Sequence, residues 1–239
     1  MLNRIAAMVM AGMMVAGGCA TDPELVKRVD ALEAKISELE KRPAGAPAAA
    51  DPKREAEAQA MAEQIQKAIA DLDTAGAKTK AAEFNKKYAG TKASRYLKRV
   101  LAELEVVGKD AGAMDASKWF QGNVAMDDGK ATMLVFWETW CPHCKREVPK
   151  VEATHNKYKD RGLNVVGVTK VTRSATDEGV SAFIQEHGIS YPVAKEDGDN
   201  LSKRFGVRGV PAAAIVKEGK VVWRGHPARI NDAMLEKLL

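Results

Sequence analysis

The chain is poor in the residues that build metal sites and disulfide frameworks. Its 239 residues include three cysteines and four histidines. Cys141 and Cys144 share one Cys-x-x-Cys motif, and Cys19 stands alone near the N-terminus. No thiols remain for a scaffold of structural disulfides. A zinc site needs four ligands, and neither a second Cys-x-x-Cys nor paired histidines supply them. The reading is of no metal and no cofactor. Aromatic residues are scarce, at 5%, and plentiful Ala and Met suggest helices. Charge of one sign is not concentrated either. The 37 basic and 32 acidic residues give +5 and are interspersed, which leaves no footprint for nucleic acid.

What is present centres on Met133-Leu134-Val135-Phe136-Trp137, a short apolar run of strand character. Trp140-Cys141-Pro142-His143-Cys144 follows, and Cys144-Lys145-Arg146-Glu147-Val148 opens a helical pattern. Strand, Cys-x-x-Cys and helix in that order resemble a thioredoxin-like redox site. With one cysteine at a helix start and the other a turn on, the sulfurs can close a disulfide. Unpaired N–H groups and the helix dipole favour a thiolate at Cys141, which makes it the nucleophile. Cys144, deeper under the helix, would resolve the mixed disulfide. An inert structural disulfide is the bland alternative.

Residues 1–18 read as a signal peptide. Arg4 supplies the positive start, and Ile5 to Val15 is an apolar stretch too short to span a bilayer as a mature helix. Ala16-Gly17-Gly18-Cys19 resembles a bacterial lipobox, in which Cys19 becomes the lipidated first residue; ordinary cleavage near a free thiol is the alternative. Several acyl chains on one residue would hold the protein to a membrane. The expected compartment is the periplasmic side of the cell envelope, where disulfide chemistry is at home. Ala20 follows the cysteine rather than aspartate. By resemblance to enterobacterial sorting signals, that favours the outer membrane.

Residues 19–42 are read as the lipidated N-terminus and a short coiled coil. Leu25, Val29, Leu32, Ile36 and Leu39 are spaced four, three, four, three. Val29 and Ile36 fall at a and the leucines at d, a seam that suits a parallel dimer or a trimer. Arg28 with Glu33, and Lys35 with Glu40, would pair across it. A single amphipathic helix packed on its own chain would show the same pattern. Residues 43–52 form a Pro/Ala linker without core-forming residues. Residues 53–110 read as a small helical region. Met61, Ile65, Ile69 and Leu72 make one stripe, and Phe84 with Tyr88 share a face of a second helix. Thr91 is placed to cap a third, striped by Tyr96, Leu97, Val100, Leu101 and Leu104.

Residues 111–239 alternate strand and helix patterns, the α/β signature. Strands are expected at Trp119–Val124 (an edge), Thr132–Trp137, Leu163–Thr169, Ala212–Val216 and Lys220–Trp223, the last two a hairpin around Glu218-Gly219. Helices are expected from the cysteine motif to about Lys159, at Asp177–Glu186, Asn200–Phe205 and Arg229–Leu239. The fold class is therefore α/β, a central mixed sheet flanked by helices, preceded by the coiled-coil segment and the all-α region. His155 and His187 read as surface residues. His226 follows the last strand and would border the substrate groove or sit in an exposed loop.

This order of elements, the cysteine motif and Gly209-Val210-Pro211 together resemble the thioredoxin superfamily. The resemblance implies a cis proline at Pro211 lying against the cysteines, with the backbone of Val210 pairing with a bound peptide beside Trp140. Pro149 matches the proline inside that family's active-site helix. Cys144-Lys145-Arg146-Glu147-Val148-Pro149 is similar to the Cys-x-x-Glu-x-Pro of the TlpA/ResA group of membrane-tethered thiol-disulfide oxidoreductases. Where thioredoxin has a buried aspartate this chain has Val135, so Glu147 is the available carboxylate to take the Cys144 proton. Pro142-His143 and Val207-Arg208-Gly209-Val210-Pro211-Ala212 are similar to the site of the oxidant DsbA, but DsbA's helical insertion is missing. A histidine there offsets a thiolate charge and makes the disulfide more oxidising. Reference potentials run from about −120 mV for DsbA to about −270 mV for thioredoxin, and a value above thioredoxin's is expected.

The leading expectation is thiol-disulfide exchange on exported or envelope proteins, with a redox partner that resets the pair. A second is a non-catalytic envelope scaffold that binds partners; retention of both cysteines counts against it. A third, a peroxidase of the peroxiredoxin group, expects Thr-x-x-Cys, which Thr139-Trp140-Cys141 does not match.

Overall fold

The computed structural model describes residues 23–40, 51–126, 128 and 130–239. The expected signal peptide, Cys19 and residues 43–50 of the expected linker lie outside the described residues; the linker's last two positions are not linker, since Asp51 caps a helix that begins at Pro52.

Strand β2, Ala131–Trp137, is buried at every position. Unbroken apolar character is what a central strand needs when both of its faces are covered. Ala131, Met133, Val135 and Trp137 enter one core, while Leu134 and Phe136 enter the other. Parallel to β2 runs β3, Leu163–Thr169, in a register that sets Val135 beside Gly167. On its other side β5, Ala212–Lys217, is antiparallel and sets Val135 opposite Ala213. Helix α5, Pro142–Tyr158, makes the crossover from β2 to β3, and α6, Asp177–Glu186, crosses to β4, Val193–Glu196. The six-stranded sheet is completed by β1, Ala116–Gln121, and β6, Lys220–Gly225, in the order β1-β4-β3-β2-β5-β6. Helix α8, Asp232–Leu238, joins α5 and α6 over the Val135 face; α7, Asn200–Arg204, lies on the other.

The sequence pattern misplaces some edges of this sheet. β1 begins at Ala116 and ends at Gln121, earlier than the expected Trp119–Val124, and β4 is not anticipated at all. β4 is only four residues long, follows Pro192 and carries Lys195 and Glu196. Its strand character comes from parallel pairing with β3 and antiparallel pairing with β1, not from local propensity. The closing helix starts at Asp232, capped by the Asn231 side chain, after a separate turn at Pro227–Arg229. The β5–β6 hairpin turns at Glu218 and Gly219, both at positive φ (51° and 70°), as a two-residue hairpin turn of matching twist demands.

Immediately before the sheet, residues 51–104 form three helices: α2, Pro52–Ala70; α3, Thr74–Lys87; and α4, Lys92–Leu104. Asp51, Asp73 and Thr91 cap them, Thr91 Oγ1 accepting from the Ser94 N–H at 3.1 Å. Their shared core is alanine-rich, with Ile65, Phe84, Leu97, Val100 and Leu104. The layer is tied to the sheet by Gly108 N–H to the Val221 carbonyl (2.8 Å) and by buried Glu103, which pairs with Arg229. Separately, α1, Pro23–Glu40, is an 18-residue helix on which Val26, Val29, Leu32 and Ile36 are exposed. The side chains of Leu25 and Leu39 lie outside the described residues. No helix among the described residues is long and apolar enough to cross a membrane.

Two histidines expected at the surface are half-buried instead. His155 meets Tyr191 edge-on with centroids 6.0 Å apart, and His187 stacks on Phe183 at 4.0 Å. His155 lies near the end of a helix and His187 caps one, and neighbouring aromatic rings cover both.

Candidate active site

The end of β2 delivers the chain to the N-terminus of α5, where Cys141 is the N-cap. Its backbone is extended (φ −86°, ψ 110°), Pro142 occupies the first helical position, and the Cys144 N–H donates to Cys141 Sγ at 3.2 Å. Proline fits there because that N–H needs no partner within the helix. Both sulfurs are free thiols and both are buried, Cys144 completely and Cys141 to within 3%. Burial pushes the Cys144 thiol well up, and the adjacent Cys141 sulfur adds to this. Cys144 therefore holds its proton at neutral pH.

The loop before β5 closes the site from above. The Val210–Pro211 bond is cis. Cys141 Sγ lies 3.8 Å from the Val210 carbonyl oxygen. Residues 69 apart in sequence thus meet across the top of the sheet. Trp140 is partly exposed beside them. Its indole N–H donates to the Glu138 carboxylate and to Thr172 Oγ1 (3.1 Å), and the Arg173 guanidinium lies 3.8 Å over its ring.

Of the other residues singled out in the sequence, His143 is exposed and its Nδ1 faces Arg146 Nη2 at 2.5 Å, not the sulfur. Glu147 is 9% exposed and accepts from Lys150 Nζ at 2.9 Å. It lines a small cavity of about 160 Å³ with Met133, Pro227 and Ala228. His226 is close enough to feel the Glu147 charge; burial lowers its pKa, partly opposed by Glu147, and its Nδ1 accepts from the Ala228 N–H. Val135 is core, and Pro149 lies inside α5. Cys19 lies outside the described residues.

Glu138 was not anticipated. It sits one residue past β2, buried, with its carboxylate bonded to Trp140 and Thr172. Its charge is felt at the Cys144 sulfur, where it raises the thiol further. A signal existed: an acid between Trp137 and Trp140, at the carboxyl end of a central strand, must find donors or stay unpaired. Among the described residues no cluster of His, Cys, Asp or Glu could hold a metal ion.

A strand, a buried dithiol at the following helix start and an opposing cis proline define a thioredoxin-like fold with a dithiol site. Residues 107–224 match the model of the AhpC/TSA family. It is 29% identical over 112 residues to thiol-disulfide oxidoreductase ResA of Halalkalibacterium halodurans, covering 47% of this chain and 62% of that protein. It is 34% identical over 95 residues to ResA of Bacillus thuringiensis, covering 39% and 53%. The chain thus spans little more than half the length of these curated relatives. Among solved structures it is similar to the thioredoxin domain of a thiol-disulfide oxidoreductase from Bacteroides vulgatus, with a TM-score of 0.48 and 24% identity over 56% of this chain and 98% of that one.

Proposed function

We propose that this protein exchanges thiols and disulfides with exported or envelope proteins through the Cys141–Cys144 pair. The observation that carries the reading is the placement of Cys141 Sγ between an N–H of the α5 terminus (3.2 Å) and the Val210 carbonyl (3.8 Å). A sulfur anion attacking a disulfide needs a donor behind it and a surface that aligns the incoming chain.

In the reducing direction, Cys141 Sγ attacks one sulfur of the substrate disulfide. A mixed disulfide forms and one substrate thiolate leaves, taking up a proton from solvent. Cys144 then gives up its proton and attacks Cys141 Sγ. The intramolecular disulfide forms and the second substrate sulfur leaves as a thiolate, which takes up a proton from solvent. Two electrons have moved to the substrate, and a partner dithiol restores the pair. Run backwards, the same steps oxidise a substrate. Val210 and Pro211 orient the substrate strand, with Trp140 beside it. The proton from Cys144 goes to Glu147, one turn along the same helix. Glu138 fixes Trp140 and acts on Cys144 through its charge. Pro142 and His143 tune the pair, His143 through its contact with the Arg146 guanidinium rather than by a bond to the sulfur.

Residues 111–239 would form the exchanging domain, with the helical region 53–110 before it. The sequence supports export, with residues 1–18 as signal peptide, Cys19 as the lipid anchor, a linker at 43–52 and an outer-membrane address from Ala20. Exposed Val29, Leu32 and Ile36 support self-association through residues 25–40.

Insulin reduction by wild type and by Cys141→Ala tests the activity; equal rates would reject it. Equilibration of the pair with glutathione tests direction: a potential near about −270 mV assigns a reductase, and one well above it assigns an oxidant or isomerase.

A further inference from the structure

Behind the cis-proline loop, α4 and residues 206–209 enclose a groove. One part, about 380 Å³, is lined by Arg95, Lys98, Arg99, Glu103, Arg208 and Arg224 among others. A second part, about 400 Å³, shares Lys98, Ala102 and Arg208 with it and continues along α4. Arg95, Lys98 and Arg208 are exposed and make no ion pair or hydrogen bond among the described residues. The carboxylates nearby do not neutralise them. Glu103 is taken by Arg229 and Arg99, and Glu105 stands at the far part of the groove.

Arg224 adds an independent observation. It is 4% exposed, and its guanidinium donates to carbonyls only: Phe205 (2.8 Å), Gly225 (2.9 Å), Ala213 (3.3 Å) and Gly206 (3.5 Å). Burial lowers it to about 10, so it stays charged at neutral pH. A buried cation with no carboxylate bonded to it, in the wall of an open basic groove, is compensated when an anion enters.

We propose that this groove binds an acidic segment of the substrate polypeptide, next to the residue undergoing exchange. The inference rests on the exchange reading above and adds a substrate class to it. The groove is continuous with the loop that would align the substrate. Arg208 lies two residues before Val210, whose carbonyl faces Cys141 Sγ. An extended chain advances about 3.3 Å per residue. Acidic side chains two to four positions to one side of the reacting cysteine therefore reach Arg208 and then Lys98 and Arg95. The helical region, which carries no part of the redox pair, is thereby a specificity wall.

The test uses the full chain, kept as the dithiol by reduced glutathione with the uncatalysed rate subtracted, and three sets of short peptides. Each holds one cysteine capped as its methyl disulfide and flanked, on either side in turn, by glutamates, glutamines or lysines. The glutamate peptide should show a kcat/KM about tenfold or more above the lysine peptide at low salt. The gap should close near 1 M salt, where the screening length is about 3 Å. R95E/K98E/R208E should reverse the order and R95Q/K98Q/R208Q should flatten it, the second serving if the first does not fold. Equal kcat/KM across the three charges, with exchange intact, overturns the groove and leaves the function standing. Binding of the same peptides with serine for cysteine, followed by tryptophan fluorescence, decides the groove even if no peptide is turned over. Tighter binding of the glutamate form then keeps the groove while the exchange reading fails. Charge-sensitive sedimentation with acidic phospholipid vesicles, without peptide preference, would overturn the proposal in favour of a membrane surface.

Discussion

Beneath α2, α3 and α4 the core contains six alanines, Ala58, Ala62, Ala68, Ala77, Ala81 and Ala93, with Phe84 as its large ring. On the two faces of the sheet it contains Trp137, Trp223, Tyr158, Tyr191, Phe136 and Phe205. Each alanine removes little apolar area from water, so the helical layer depends on a few larger side chains. In the sheet the burden is spread, and the strand end that holds the thiols cannot shift without disturbing aromatic packing on both faces. The difference teaches a division of labour. On the proposed reading, the sheet region holds the reacting atoms and the helical region presents charge to what approaches them.

The largest expected effect belongs to the sheet region alone. Cys141→Ser should lower insulin reduction by about 10³-fold or more, since the hydroxyl is a far weaker nucleophile. Its melting temperature should stay near that of reduced wild type, because Cys141 caps α5 and serine caps as well. Retained activity would mean the chemistry lies elsewhere.

Phe84→Ala should next show whether the two cores are separable. Phe84 is fully buried, and its loss should cost about 3–5 kcal/mol. Hydrogen exchange should rise in α2–α4 while Cys144 stays closed to alkylation. A Cys144 that labels readily in this variant would join the two regions into one cooperative unit.

Smaller effects should sort the carboxylates. Glu147→Gln should slow resolution of the mixed disulfide by about tenfold if it accepts the Cys144 proton. Glu138→Leu should remove the acceptor that holds the Trp140 indole N–H and loosen that ring, raising KM more than it lowers kcat. Single-turnover quenching of the mixed disulfide separates the two. The opposite pattern would exchange their roles.

The smallest effect is on pH. Burial lowers the pKa of His155 and of His226, the latter partly countered by Glu147. The unfolded chain then takes up protons first as pH falls through about 6.5, so stability is full above that value and declines below it. Residues 52–104 contain no histidine, so this decline should reside in the sheet. Melting followed from pH 8 to 5 should show it, and His155→Gln should flatten it. A curve unchanged by that substitution would rule out His155 as the source.

The sequence by itself determined the segments whose signals are local. The apolar run of β2 joined to the cysteine helix, the Thr91 cap, the Glu218-Gly219 turn and the periods of α2–α4 all depend on neighbours within a turn or a strand. Tertiary structure alone decided what depends on distant pairing. It made a strand of Val193–Glu196 and set Val210 against Cys141. It also buried Glu138 beside Trp140 and Thr172, covered His155 and His187 with rings, and gathered Arg95, Lys98, Arg208 and Arg224 around one groove. Local periodicity records which face of an element avoids water. It does not record which other element will cover that face, and the charges and contacts that shape this site follow from that covering.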